Sequence, residues 1–100
     1  MRYSLIVSLG AQKDILESIE WYNNEKANLG FEFYESLMEK INSLAERPLL
    51  YTKRFKNVRT AKVNKYPYLI YFKIEESNSS ISILGVLHTS RNPQLIRKRK

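Results

Sequence analysis

The chain reads as an α+β domain of order β-α-α-β-β-β, a helix hairpin packed on a small, mainly antiparallel sheet. Three observations predict it. Apolar residues alternate with a period of two near the start. They then recur at helical spacing through two consecutive stretches, and three short runs rich in aromatic and β-branched residues follow Pro48.

In the first element Tyr3, Leu5 and Val7 alternate with Ser4, Ile6 and Ser8, which suits a strand with one face fully buried and the other partly so. From Gln12 the period changes. Ile15, Ile19 and Tyr22 recur at helical spacing with Leu16 beside them, while Lys13, Asp14, Glu17 and Glu20 fall on other faces, so an amphipathic helix runs to about Asn23 or a turn beyond. Asn28 and Gly30 interrupt the pattern. Phe31, Tyr34, Met38, Ile41 and Ala45 then mark a second helix that Pro48 ends. Three strands are expected beyond it: a basic one at 55–64, an aromatic one at 68–74 and an alternating one at 80–87. Lys65-Tyr66-Pro67 and the polar stretch 75–79 are the short joints of an antiparallel meander. Adjacent strand residues point to opposite faces, so Tyr71 and Phe72 can both be core only if one lies beneath a helix and the other beneath a partner, and one exposed aromatic there would suggest a binding surface.

A length of 100 residues with 43% hydrophobic content is enough for one core, and one domain is expected over 1–96 with a basic tail at 97–100. With no cysteine and a single histidine, neither a disulfide framework nor a structural metal site is expected, and no cofactor fingerprint is present. No run approaches the length of a signal-peptide core or a membrane span, so a cytoplasmic protein with no membrane partner is expected. The net charge of +7 favours encounter with something acidic, whether nucleic acid, a ribosome or a protein. Most of the positive excess lies beyond Tyr51, while the carboxylates concentrate in the helical region. Residues 97–100, Arg-Lys-Arg-Lys, read first as a solvated, frayed end.

The candidate chemistry lies in the cations and the one imidazole. Lys53, Arg54, Arg59, Lys62, Lys65 and Arg91 are candidate contacts for a nucleic acid or another acidic target. Arg59 and Lys62 on one strand, with His88 and Arg91 just past another, would suit phosphodiester cleavage if the meander brought them together. The cations would stabilise developing charge, and His88 would move a proton. Each has a plainer reading. His88 at a strand end suits half-buried packing, Arg91 suits pairing with Glu32, Glu35 or Glu39, and Arg59 and Lys62 suit the charged outer face of a sheet. Tyr66, Tyr68, Tyr71 and Phe72 suit base stacking or core packing, and for Tyr22 core packing comes first.

Val58-Arg59, then Lys65-Tyr66-Pro67-Tyr68-Leu69-Ile70-Tyr71-Phe72, then Ile83-Leu84-Gly85-Val86-Leu87-His88-Thr89-Ser90-Arg91-Asn92-Pro93, in this order and spacing, resemble the RelE/ParE superfamily of toxins. The resemblance spans nearly the whole chain, including Ala11 to Tyr22 as first helix and Leu44-Ala45-Glu46-Arg47-Pro48 as the end of the second. It implies the toxin of a type II toxin–antitoxin pair, of the plasmid-stabilisation type. Such a toxin inhibits growth and is silenced by a cognate antitoxin whose disordered, often acidic segment folds across it.

The resemblance covers two branches. RelE-like members are ribosome-dependent endoribonucleases that cut mRNA, whereas ParE-like members inhibit DNA gyrase by binding. Arg59 and Arg91 match basic positions of the nuclease branch, and Lys62 and His88 would complete a catalytic set with them. Other positions depart from it. Tyr68 stands where that branch has an arginine in the central strand, its C-terminal tyrosine is missing from 94–100, and His88 is followed by Thr89 rather than tyrosine. The stretch from Val86 to Pro93 is closer to a ParE-like ending, so a gyrase-binding toxin is the leading expectation. The alternatives are a nuclease acting on ribosome-bound mRNA and an inactive member that keeps only antitoxin binding.

Overall fold

The computed structural model describes residues 2–99. Its elements are β1 (Ser4–Val7), α1 (Leu9–Glu25), α2 (Leu29–Glu46), β2 (Lys53–Phe55), β3 (Val58–Lys62), β4 (Tyr68–Glu75), β5 (Ser80–His88) and a short α3 (Gln94–Arg97). The strands form one sheet in the order β1-β5-β4-β3-β2, with β1 parallel to β5 and every other pair antiparallel.

Helix α1 starts three residues before the apolar period begins, because Ser8 caps it: its Oγ accepts from the Ala11 amide at 3.1 Å. Asn28, in the left-handed region at φ 70°, turns the chain between the helices. Gly30 does not break α2, as its position in the sequence suggested, but lies buried in its first turn. A Cβ there would come within 2.4 Å of the Ile19 carbonyl oxygen, so glycine is what lets the two helices approach. The Gly30 amide donates to Asn23 Oδ1 at 2.8 Å, tying the close approach down.

Two expectations about strands are corrected. The single strand expected at 55–64 is a hairpin, β2 to β3, turning at Lys56 with φ 46° and pairing Lys53 with Arg59 and Phe55 with Val58. A lysine–asparagine turn lacks the glycine that makes such hairpins easy to read. Strand β1, expected to be buried on one face and partly on the other, is an edge whose inner residues are only half-buried and whose Ile6 is exposed.

The sheet is covered on both faces. Phe33, Leu37, Ile41 and Leu44 of α2 and Ala11, Ile15 and Tyr22 of α1 pack on Tyr68, Ile70, Phe72, Ile81, Ile83 and Val86. On the other face Val58, Tyr71, Leu84 and Leu87 form a smaller core closed by Ile96 of α3. Tyr71 and Phe72 are therefore both buried, one in each core. A bulge near Leu84 shifts the β4–β5 register, pairing Tyr71 with Gly85 and Phe72 with Ile83.

Candidate functional site

Arg59 sits on β3 opposite Phe72, on the helix side of the sheet, and its guanidinium donates to the Tyr51 carbonyl at 2.5 Å. Lys53 is its register partner on β2 and is exposed, as is Arg54 beside it. Lys62, an odd number of residues along β3, points to the opposite face, where its ammonium donates to the carbonyls of Val63 and Tyr66 at 3.3 and 3.2 Å. Lys65 occupies a positive-φ turn and borders Glu32, Glu35 and Glu39 of α2.

His88 and Arg91 lie elsewhere. His88 ends β5 opposite Tyr68, with ring centroids 5.4 Å apart at 75°. Its Nδ1 accepts from the Ser90 amide at 3.0 Å, which places the proton of the neutral imidazole on Nε2. Arg91 stands in the turn just beyond, its amide bonded to the His88 carbonyl. His88 and Arg91 line a cleft with Glu17, Ser18 and the exposed Trp21 of α1. The alternative pairing of Arg91 with Glu32, Glu35 or Glu39 is not seen: those carboxylates stand by Lys65 instead.

The structure thus keeps His88 and Arg91 together in one cleft and places Arg59 and Lys62 elsewhere. Arg59 and His88 share a side of the sheet, but two strand spacings and about four residues of rise put them roughly 15–20 Å apart, with buried Tyr68, Ile70 and Phe72 between. Lys62 faces away from both.

The most developed polar cluster is one that sequence reasoning placed on the solvent side of α1. Asp14 is 8% exposed. Because β1 ends opposite Ile83, the β1-side edge of β5 has no strand neighbour beyond that point, and there the Val86 amide donates to Asp14 Oδ2 at 3.0 Å instead. Arg99 completes the site with a two-pronged contact to Asp14, at 2.6 Å to Oδ2 and 3.1 Å to Oδ1, and with a bond to the Leu84 carbonyl at 3.2 Å. The Asp14 hydrogen bond raises the Arg99 pKa above its usual value, against the opposing effect of burial. The frayed-end expectation for 97–100 therefore fails at Arg99, and also at Arg97, whose guanidinium lies 4.4 Å over the Phe55 ring. Lys100 lies outside the described residues. The signal that could have found Asp14 is an acid one turn from Ser18 on the face carrying Ala11 and Ile15.

A second feature escaped the sequence reading because most of its residues, Ile15, Leu16, Tyr34 and Met38 among them, carry the apolar periods of the two helices. Between α1 and α2 runs an open groove lined by Val7, Gln12, Ile15, Leu16, Tyr34 and Met38. Leu9 at 83%, Leu16 at 68% and Phe31 at 59% exposed extend its apolar surface to solvent. Scattered apolar residues are ordinary on a surface; here Leu16, Tyr34 and Met38 share one groove.

Among the described residues no cluster of histidine, cysteine or carboxylates suited to a metal ion is present, and no helix is long and apolar enough to cross a membrane.

Comparison with known proteins gives three findings. The model of the family described as the ParE toxin of the type II toxin–antitoxin system parDE matches residues 5–93. No curated protein sequence matches. Among solved structures, the chain is similar to one of the chromosomal ParDE toxin–antitoxin system from P. aeruginosa, at TM-score 0.76 and 16% identity over 87% of this chain and 96% of that one. It is also similar to a mutant of the E. coli toxin RelE in its free state, at TM-score 0.71 and 15% identity over 99% of this chain and 94% of that one. An archaeal RelE–RelB complex from Pyrococcus horikoshii follows at TM-score 0.58 and 12% identity, over 92% of this chain and 100% of that one. At such identities the likeness speaks for the fold.

Proposed function

The chain belongs to the ParE toxin family of type II toxin–antitoxin systems, and from that premise we propose that it inhibits DNA gyrase by binding it in the cytoplasm, with no catalytic step of its own. A cognate antitoxin holds it silent. The observation that supports the binding reading is the dispersal of the candidate nuclease set. Arg59 is spent on the Tyr51 carbonyl, Lys62 faces the other side of the sheet on two backbone carbonyls, and His88 and Arg91 stand apart in the α1 cleft. One phosphate cannot reach all of them, and acid–base chemistry on a phosphodiester needs its groups within hydrogen-bond reach of one centre. Contacts to the target then fall to exposed cations, Lys53, Arg54, Lys62, Lys65 and Arg91, with Arg59 acting mainly to fix the β2–β3 hairpin.

The test is pulse-labelling just after induction, following thymidine and methionine incorporation in parallel. DNA synthesis is expected to fall first while translation continues, and His88→Ala is expected to leave toxicity intact. Early loss of translation, abolished by His88→Ala or Arg59→Ala in a folded protein that still binds antitoxin, would overturn the proposal in favour of a ribosome-dependent mRNA endonuclease. A soluble, folded chain with no effect on growth would identify an inactive, antitoxin-binding member.

A further inference from the structure

Between α2 and β2 the chain makes a short 3-10 turn at Pro48–Leu50 that holds two neighbouring leucines out in solvent, Leu49 at 57% and Leu50 at 73% exposed. The turn is held in place from below. Pro48 is buried, the amides of Leu50 and Tyr51 donate to the carbonyls of Arg47 and Pro48, and the Arg59 guanidinium holds the Tyr51 carbonyl. Beside the leucines lies a shallow cavity lined also by Tyr3, Glu46 and Arg47. The surroundings are cationic. Residues 47–74 hold eight lysines and arginines and no carboxylate, and exposed Lys53 and Arg54 stand within three or four residues of Leu50, roughly 10–14 Å of extended chain. Glu46, the carboxylate that lines the cavity, is paired with Arg2 at 3.6 Å.

We propose that this turn is a knob that enters an apolar pocket rimmed by carboxylates on a folded protein, the target of the toxin, and to that extent the inference rests on the function proposed above. Shape and chemistry together select that partner. Nucleic acid accounts for the cations and leaves the leucines unexplained, since a phosphate backbone offers them nothing to bury against. A bilayer accounts for both, but two leucines insert less apolar surface than one acyl chain, which by itself binds a membrane only marginally. A flat bilayer would also leave the cavity beside the turn unfilled. A disordered antitoxin segment has no pocket of its own to receive a knob, whereas a convex turn already held in its bound shape suits a folded partner. A second copy set face to face would bring like charges together. The two leucines, taken out of water, supply the affinity, and Arg47, Lys53 and Arg54 speed and orient the encounter.

The test follows the full chain in two assays at once: growth arrest on induction without antitoxin, which is indifferent to the target, and binding to purified gyrase. Leu49→Asp with Leu50→Asp, both exposed and checked for folding by circular dichroism and thermal melting, is expected to abolish arrest. The same pair should weaken gyrase binding at least about 30-fold, the scale of losing one well-buried leucine. Leu49→Met with Leu50→Met should keep both activities. Lys53→Glu with Arg54→Glu is expected to slow association about tenfold at low salt, a difference that closes near 1 M, where the Debye length is about 3 Å. Undiminished arrest by the folded aspartate pair would overturn the proposal. So would binding to phosphatidylglycerol vesicles or duplex DNA, or dimerisation, that the aspartate pair abolishes while gyrase binding persists. The two readings fail separately. Arrest lost with the leucines in a chain that never binds gyrase keeps the knob and removes gyrase as its target, whereas gyrase binding untouched by the aspartate pair keeps gyrase and removes the knob. An unaltered chain that never arrests growth removes both.

Discussion

At the scale of single residues, Asp14 and Arg99 show how a charge that reads as surface becomes structural. The Val86 amide, left without a strand partner where β1 stops, needs an acceptor, and a carboxylate supplies a strong one. A buried carboxylate in turn needs a cation, and Arg99 supplies it with two parallel bonds. Asp14→Ala is expected to cost about 2–4 kcal/mol, because it strands both the amide and the guanidinium. Arg99→Ala should cost less, about 1–2 kcal/mol, since its side chain is 28% exposed and water screens part of the contact. Urea unfolding of the two single variants and the double variant checks this. A double variant no worse than Asp14→Ala shows the coupling, and strict additivity would sink it. The raised Arg99 pKa means that its contribution is full below the unfolded value and is lost only as pH rises through the higher folded one. The arginine side of the pair therefore stays constant over the ordinary working range. The placement of Asp14 on the inner face of α1 left a trace in the sequence, but its pairing did not, since the partners stand 85 residues apart.

At the scale of elements, most of the fold was legible because each helix and strand carries its own period. The β-α-α start, the helix hairpin and the antiparallel meander after it follow from spacing alone, though the meander has four strands rather than the three expected. Three things did not follow. The β2–β3 turn uses Lys56 at positive φ where glycine or asparagine is usual, the parallel pairing of β1 with β5 leaves no local trace, and the α3 turn is too short to show a period. Gly30 is a case where the residue was noticed and its role misjudged. Glycine inside a helix reads as a break, yet here it marks the contact between α1 and α2. Gly30→Ala should raise helix propensity by about 1 kcal/mol and still destabilise the protein. The added methyl meets the Ile19 carbonyl, a backbone atom that cannot swing aside, and overpacking of this kind costs about 1–3 kcal/mol. A lower urea midpoint with an unchanged m-value is the expected signature, and a raised midpoint would show that the hairpin has room to part.

At the scale of the whole molecule, the two terminal segments come together along β5, the strand next to the sheet edge. The N-terminal strand flanks the first half of β5, and the C-terminal segment closes beside its second half, with Ile96 filling the smaller core and Arg99 reaching Asp14. Gly85 permits this closure: a Cβ there would stand 2.4 Å from Ile96 Cδ1 and 2.7 Å from the Arg99 guanidinium. The candidate cations were legible as a set, but their grouping was not, because strand alternation and register decide which of them meet. The segment that reads as a loose basic tail is thus expected to belong to the cooperative unit. Ile96→Ala should cost about 2–5 kcal/mol, as a fully buried aliphatic side chain does. Truncation after Asn92 should do more, baring Tyr71, Leu84 and Leu87 together while leaving Asp14 without its cation. The truncated chain is expected to bind a hydrophobic dye and to lose its sharp thermal transition, the behaviour of a collapsed state without fixed packing. If it instead melts within a few degrees of the full chain, with a transition as sharp, α3 is a dispensable cover. The stability of the sheet would then rest on the helix side alone.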